Sequence, residues 1–185
     1  MSEFFQEEDF ENLSEISKGE YDNCHFLNCD FSNSDLSNFK FIDCEFTNCN
    51  LSLSQLNQTL LQKIRFKDCK LLGLNFDDCN DFGLSFRFED CQLNHSSFFK
   101  LKIKKTLFRN CQMVECDLTE TDLTESVFEN CNLKNATFGY TILEKTDFRT
   151  SYHFSFDPEL NKIKSAKFSK DNVTGLLAKY NIKIE

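Results

Sequence analysis

The sequence predicts an all-β protein, a right-handed quadrilateral parallel β-helix in which each coil is stacked on the one before. Three observations carry this prediction. A large apolar residue recurs at every fifth position, a small residue recurs two positions before it, and a period of 20 lies above the period of five. Repeats of this kind cannot bury their apolar face singly, so only stacking gives them a continuous core.

The period of five begins at Tyr21 and continues through Phe26, Phe31, Leu36, Phe41, Phe46, Leu51, Leu56, Leu61, Phe66, Leu71 and Phe76. After a two-residue slip within 80–88 it resumes at Phe88 and runs through Leu93, Phe98, Ile103, Phe108, Met113, Leu118, Leu123, Phe128, Leu133, Phe138 and Leu143 to Phe148. Two residues before each centre the side chain is mostly Cys, Ser, Thr or Ala, and all ten cysteines occupy this slot. Strand residues two apart share a face, so centre and small residue both point inward. The remaining three positions hold most of the Asn, Asp, Glu and Lys and face water. Exceptions at the small slot, such as Phe39, Ile64, Leu74, Phe86 and Leu101, are apolar and fit an interior position.

The period of 20 is written by Phe-x-Asn/Asp-Cys at 26–29, 46–49, 66–69, 88–91, 108–111 and 128–131, so four repeats make one coil. Nine of the ten cysteines follow Asn or Asp, residues that tolerate corner conformations without glycine. That matters in a chain with 22 Phe, no Trp, five Gly and one Pro. Coils hydrogen-bonded as parallel strands rise about 4.8 Å each, so about six coils span roughly 30 Å.

At 185 residues the chain suits one domain. Three regions are expected: an N-terminal cap strand over 1–20, the β-helix over 21–149, and over 150–185 an irregular turn with a short α-helix. Ser169 or Asp171 would cap that helix, with Val173, Leu176, Leu177 and Tyr180 as its apolar stripe. No stretch approaches the roughly 18 apolar residues of a membrane helix. The acidic start MSEFFQEEDFENLSE is unlike a secretory leader, so a cytoplasmic setting with reduced thiols is expected.

These repeats resemble the pentapeptide-repeat family, whose consensus is a small residue, Asp or Asn, Leu or Phe, then two variable positions. CDFSNSDLSN (29–38) and CDLTETDLTE (116–125) come close to it. Within the family, HFLNCDFSNSDLSNFKFIDCEF (25–46) and AKFSKDNVTGLLAKYNIKIE (166–185) are similar to the Qnr and MfpA group. The resemblance implies a protein that mimics DNA, binds DNA gyrase or topoisomerase IV and protects it from fluoroquinolones. It also implies a homodimer through the C-terminal segment, with Val173, Leu176, Leu177, Tyr180, Ile182 and Ile184 at the interface. The long projecting loops of the larger Qnr proteins are missing, which also fits a structural or interaction module with an unrelated partner.

Charge is patchy. Residues 1–22 hold eight acidic groups and one lysine, and 99–109 hold Lys100, Lys102, Lys104, Lys105 and Arg109 with no acid. Glu115, Asp117, Glu120, Asp122, Glu125 and Glu129 then fall in outward slots, a candidate acidic partner-binding face. A net charge of -9 opposes direct nucleic-acid binding, which needs a basic footprint. Nothing points to catalysis. Cysteine spacings of five are not zinc pairs, and His25 faces away from Cys24. No phosphate-binding glycine loop is present either. An enzyme, a cofactor or a metal is therefore not expected.

Overall fold

In the computed structural model residues 3–183 are described, and the periodic region winds as an all-parallel β-solenoid of about six turns. Its short strands are β1 (Glu3–Gln6), β2 (Asp9–Glu11), β3 (Gly19–Asp22), β4 (His25–Leu27), β5 (Lys40–Ile42) and β6 (Glu45–Thr47). Then come β7 (Leu60–Gln62), β8 (Ile64–Lys67), β9 (Phe86–Glu89), β10 (Leu107–Arg109) and β11 (Val127–Glu129). They form two sheets on adjacent sides, ordered β1-β3-β5-β7 and β11-β10-β9-β8-β6-β4-β2. The other two sides are built from isolated parallel bridges such as Asp30↔Asn50 and Asp117↔Thr137.

The centres are buried as the alternation requires. On the second sheet they form a ladder of nine rings: Phe10, Phe26, Phe46, Phe66, Phe88, Phe108, Phe128, Phe148 and Phe168. Successive centroids are 4.6–5.5 Å apart and successive planes lie within 22° of parallel. The strand spacing sets this separation, so offset stacking between coils is built into the backbone repeat.

The small slot does more than save space. Its side chain donates a hydrogen bond to the carbonyl of the central residue one coil earlier. Ser54 Oγ reaches Phe31 O at 2.7 Å, Thr121 Oγ1 reaches Phe98 O at 2.7 Å, and Cys131 Sγ reaches Phe108 O at 3.3 Å. One column of cysteines differs from the other slots, although Cys79 and Cys116 close the same turn as the hydroxyl residues. At Ser34, Ser54, Thr59, Ser96 and Thr121 the slot amide closes a β-turn on the centre three residues back. At Cys29, Cys49, Cys69, Cys91, Cys111 and Cys131 that amide bond is missing, and the thiol instead donates to the carbonyl two residues back, 3.2–3.4 Å away. These six thiols form one buried column. Desolvation pushes buried thiols up, Cys44 and Cys116 to about 12.

Almost every corner is turned by a residue in the left-handed region, and only Gly73 and Gly83 of these are glycine. Asn23, Asn28, Asp43, Asn48, Asp68, Asp90, Asn110 and Asn130 fit the expectation, but Leu53, Lys100, Glu115, Glu120, Glu125 and Tyr140 adopt the same conformation. Among the described residues no β-branched one does. The coil stack fixes both neighbours of each corner and so imposes the conformation on residues that would not choose it alone.

The slip is confined to a few residues. Leu60 bridges Asn80, an offset of 20, whereas Ile64 pairs with Phe86, an offset of 22. Ile64 N–H already bonds Ser85 O, so the two extra residues lie between Asn80 and Ser85. Gly83 turns there at φ 69°, Leu84 fills the interior and Phe82 is left 73% exposed.

The ladder runs past 21–149 at both ends. β1 and β2 are in-register rungs on β3 and β4, each at an offset of 16, so the first coil is a shortened one. At the other end Ile142 bridges Lys162 and Asp147 bridges Lys167. The expected C-terminal α-helix is not formed. In its place are two short 3-10 turns, Val173–Leu176 and Ala178–Tyr180. Neither Ser169 nor Asp171 is the N-cap of the first: that position is Asn172, without a side-chain capping bond, and Ser169 Oγ accepts from the Asn172 N–H at 3.2 Å. The Asn172 side chain is tied to Phe148 O and Ser151 O, and Gly175 lies against the Phe154 carbonyl with no room for a Cβ. The segment is laid flat on the last coil, and a free-standing α-helical cylinder would not fit this close approach.

Candidate interaction surface

The six acids read as one face do not share one. Asp117, Asp122 and Glu129 belong to three different stacks, bridging Thr137, Ile142 and Arg109 respectively, and Glu115, Glu120 and Glu125 stand at the corners between sides. They ring a single coil. The positions 20 residues earlier are the basic strip, so the two charge runs meet across the stack. Lys100 lies 3.8 Å from Glu120, Lys105 3.7 Å from Glu125, and Arg109 3.0 Å from Glu129. Lys104 contacts Asp122 at 3.2 Å, Lys145 closes on Glu125 from the other side at 3.0 Å, and His95 Nδ1 lies 3.3 Å from Glu115. Each exposed pair contributes little alone, about 1 kcal/mol or less. Together they cancel the field of this coil.

Part of this acid is structural. Asp117 and Asp122 accept the amides of Thr119 and Thr124 at 2.9 and 3.1 Å, closing local turns. Burial opposes ionisation of both, yet the threonine hydrogen bonds hold their carboxyls below the usual range. The Lys145 ammonium does the same for Glu125.

Uncompensated charge lies at the N-terminal end. Residues 1–60 carry 12 acidic and two basic side chains, while 61–185 carry 18 and 19. Sequence reasoning saw the acidic start but missed this balance, because pairing across coils at a distance of 20 is visible only once the coil length is used to align charges.

At the C-terminal end the apolar stripe is divided. Leu176 is buried in the cap, Leu177 is half-buried, and Val173, Tyr180 and Ile182 are exposed; Ile184 lies outside the described residues. Lys179 pins the segment by contacting Asp157 at 2.7 Å and Glu159 at 2.9 Å. Of the other outward apolar residues, Leu53, Phe82 and Tyr140 stand on different corners and coils, while Leu160 follows Tyr140 by one coil.

Among the described residues no cluster of three His, Cys, Asp or Glu could hold a metal ion. His25 Nδ1 lies 2.9 Å from Asp9, an exposed pair with Cys24 turned to the interior. A cleft of about 420 Å3 opens at the register slip, lined by Asp77, Asn80, Lys100 and Lys102 among others. Asp77 Oδ1, beside it, is a buried atom with no protein partner.

A β-solenoid with a five-residue repeat, four repeats to a coil and a core of stacked rings defines the pentapeptide-repeat class, and the chain belongs to that family. A family model described as pentapeptide repeat region matches residues 20–87, and one described as pentapeptide repeats (8 copies) matches 111–149. Among solved structures the fold is similar to trypsin-treated QnrB1, a plasmid-mediated fluoroquinolone resistance protein. The match has a TM-score of 0.64 at 17% identity and covers 100% of both chains. Full-length QnrB1 aligns with a TM-score of 0.51 at 17% identity, covering 97% of each chain. No curated protein matches the chain in sequence.

Proposed function

We propose that this chain is a non-catalytic rod that occupies a protein groove shaped for DNA, with a type II topoisomerase, DNA gyrase or topoisomerase IV, as its partner in the cytoplasm. The observation that carries the reading is the whole-length similarity of the coil stack to that of a fluoroquinolone resistance protein. The surplus acid supports it. Asp22, Asp30 and Asp35 make no ion pair among the described residues, and an acidic rod end steers toward a basic groove as duplex DNA does. The C-terminal residues Val173, Leu177, Tyr180 and Ile182 would join two copies about a twofold axis.

The cancelled charge of the 115–129 coil favours a second reading, an interaction module with an unrelated partner, because that coil offers a groove no net field. Gyrase supercoiling, measured with and without ciprofloxacin across a titration of the protein, separates the two. The same titration is run with Asp22→Asn, Asp30→Asn and Asp35→Asn, where asparagine keeps the turn hydrogen bonds of Asp30 and Asp35 to the Ser32 and Ser37 amides. Inhibition or drug rescue that the triple variant loses supports topoisomerase binding. Neither effect at any ratio assigns the rod to the second reading.

A further inference from the structure

The ladder has, among the described residues, an open edge at β2, and its columns specify what would continue it. Among the described residues β2 pairs with β4 alone. His25 N–H donates to Glu8 O and Asn12 N–H to Leu27 O, so the amide and carbonyl of Phe10 face β4. By strand alternation those of Asp9 and Glu11 face outward, unpaired. Three side-chain columns reach this edge. The middle one is the ring ladder, which ends at the half-buried Phe10, 5.0 Å from Phe26. The column through Asp9 runs Asp9, His25, Glu45, Arg65 and then Arg87, an acid opposite a basic residue type as far as Arg65, with contacts of 2.9 Å between Asp9 and His25 and 3.8 Å between Glu45 and Arg65. The column through Glu11 ends in an acid, and at its far end Glu89, Arg109 and Glu129 alternate at 3.0 Å each.

We propose that this edge is a docking site for an extended basic segment of another protein, which adds to β2 as a parallel strand. An aromatic residue would stack on Phe10, and its two neighbours, Lys or Arg, would pair with Asp9 and Glu11. Backbone bonds supply affinity and the alternate side chains supply selectivity, as in other strand additions. The charge surplus of residues 1–60 selects a cationic partner and repels a second N-terminal end. A second copy docking by its C-terminal end is also disfavoured, because there Phe154, Phe156 and Leu176 already cover the last rung. Edge strands are often blunted by shortness or charge, and β2, three residues long with Asp9 and Glu11, has both features. The edge is nevertheless not charged throughout, since Phe10 at its centre is only half-buried and Phe4 is 58% exposed on the neighbouring edge strand β1. The site draws on the same acidic surplus as the topoisomerase reading but also needs the open edge of β2, and the peptide test reads that edge alone.

The test uses a fluorescein-labelled peptide with Lys-Phe-Lys at its centre and Ser/Thr flanks. Binding is read by anisotropy and mapped by hydrogen exchange on the full chain. The expected result is saturable binding with slowed exchange in residues 3–12. Binding should be at least tenfold weaker for a Glu-Phe-Glu peptide, for a Lys-Gly-Lys peptide and for a peptide N-methylated at the central amides, and it should be lost with Asp9→Lys plus Glu11→Lys. Equal binding of Lys-Gly-Lys or of the methylated peptide would mean simple charge attraction and would overturn strand addition. Protection elsewhere on the rod, or no binding at all, would overturn the site.

Discussion

The rings of Phe108 and Phe128 lie 4.8 Å apart and 3° from parallel, one coil above the other, each fully enclosed. Because Phe88 lies on the other side of Phe108 at 5.1 Å, deleting one ring strips contact from two coils at once. Phe108→Ala should therefore cost about 3–5 kcal/mol, within the range for buried aromatic truncations, and Phe108→Leu much less. Phe108→Asp should prevent folding by burying an unpaired carboxylate between rings. Thermal melting followed by circular dichroism orders the three variants. A melting point unchanged by Ala or Asp would contradict the inward placement.

The slot between coils makes a prediction that separates donor from size. Cys111 Sγ lies 3.2 Å from Arg109 O and 3.7 Å from Phe88 O. Alanine and serine are nearly equal in volume, so if only size and burial mattered alanine would serve at least as well. As a donor position it should tolerate Cys111→Ser within about 1 kcal/mol and lose more, about 1–2 kcal/mol, with Cys111→Ala. Burial also raises the thiols Cys44, Cys79 and Cys116 above their ordinary value of 9.0. The unfolded chain releases these protons first, so stability is fully present below pH 9 and declines as pH rises toward 12. Each buried thiol adds up to about 1.4 kcal/mol per pH unit over that window. Urea midpoints at pH 8 and pH 10.5 measure the decline, and equal midpoints would contradict buried, protonated thiols.

How legible this was in the sequence depends on the range of the interaction. The centres and slots could be read directly, since strand alternation turns a spacing of two into a shared face, and Phe88 through Phe148 stack as that reading requires. Ring stacking beyond the periodic region, from Phe10 to Phe168, was not visible, because the first coil is 16 residues long and the last lacks the repeat pattern. The C-terminal segment misled for a different reason. Its apolar spacing fits an α-helix, but Asn172 and Gly175 bind it flat to Phe148 and Phe154, a tertiary constraint with no local signal. The acidic face failed because consecutive outward residues such as Glu115, Glu120 and Glu125 move around the coil, while residues 20 apart share a side.

Corner chemistry gives a graded prediction. Asn110 holds φ 53°, donates to Asp90 at 2.8 Å and accepts from Asn130 at 2.9 Å. Glycine would remove these two bonds but relieve the left-handed conformation, alanine would lose the bonds and keep the strain, and valine would add a β-branch that no corner among the described residues carries. Melting points should fall in the order Asn110→Gly, Asn110→Ala, Asn110→Val, with about 1–2 kcal/mol between glycine and alanine. Equal effects of glycine and valine would show that the corner is free to relax.

Division of the C-terminal stripe separates its two roles. Leu176 is 9% exposed and closes the last coil, whereas Ile182 is 57% exposed and Leu177 half-buried beside it. Leu176→Asp should lower the melting point, since it places a carboxylate against Phe154 and the end of the ring ladder. Leu177→Asp with Ile182→Asp should leave melting nearly unchanged at low protein concentration, because neither side chain is needed to cap the rod. In a twofold interface, though, the pair would bring four carboxylates together in an apolar contact, and the dimer should dissociate. Light scattering over a dilution series checks this. A dimer mass that survives the double substitution would move the interface away from this segment, and a native protein that is monomeric at every concentration would remove the dimer itself.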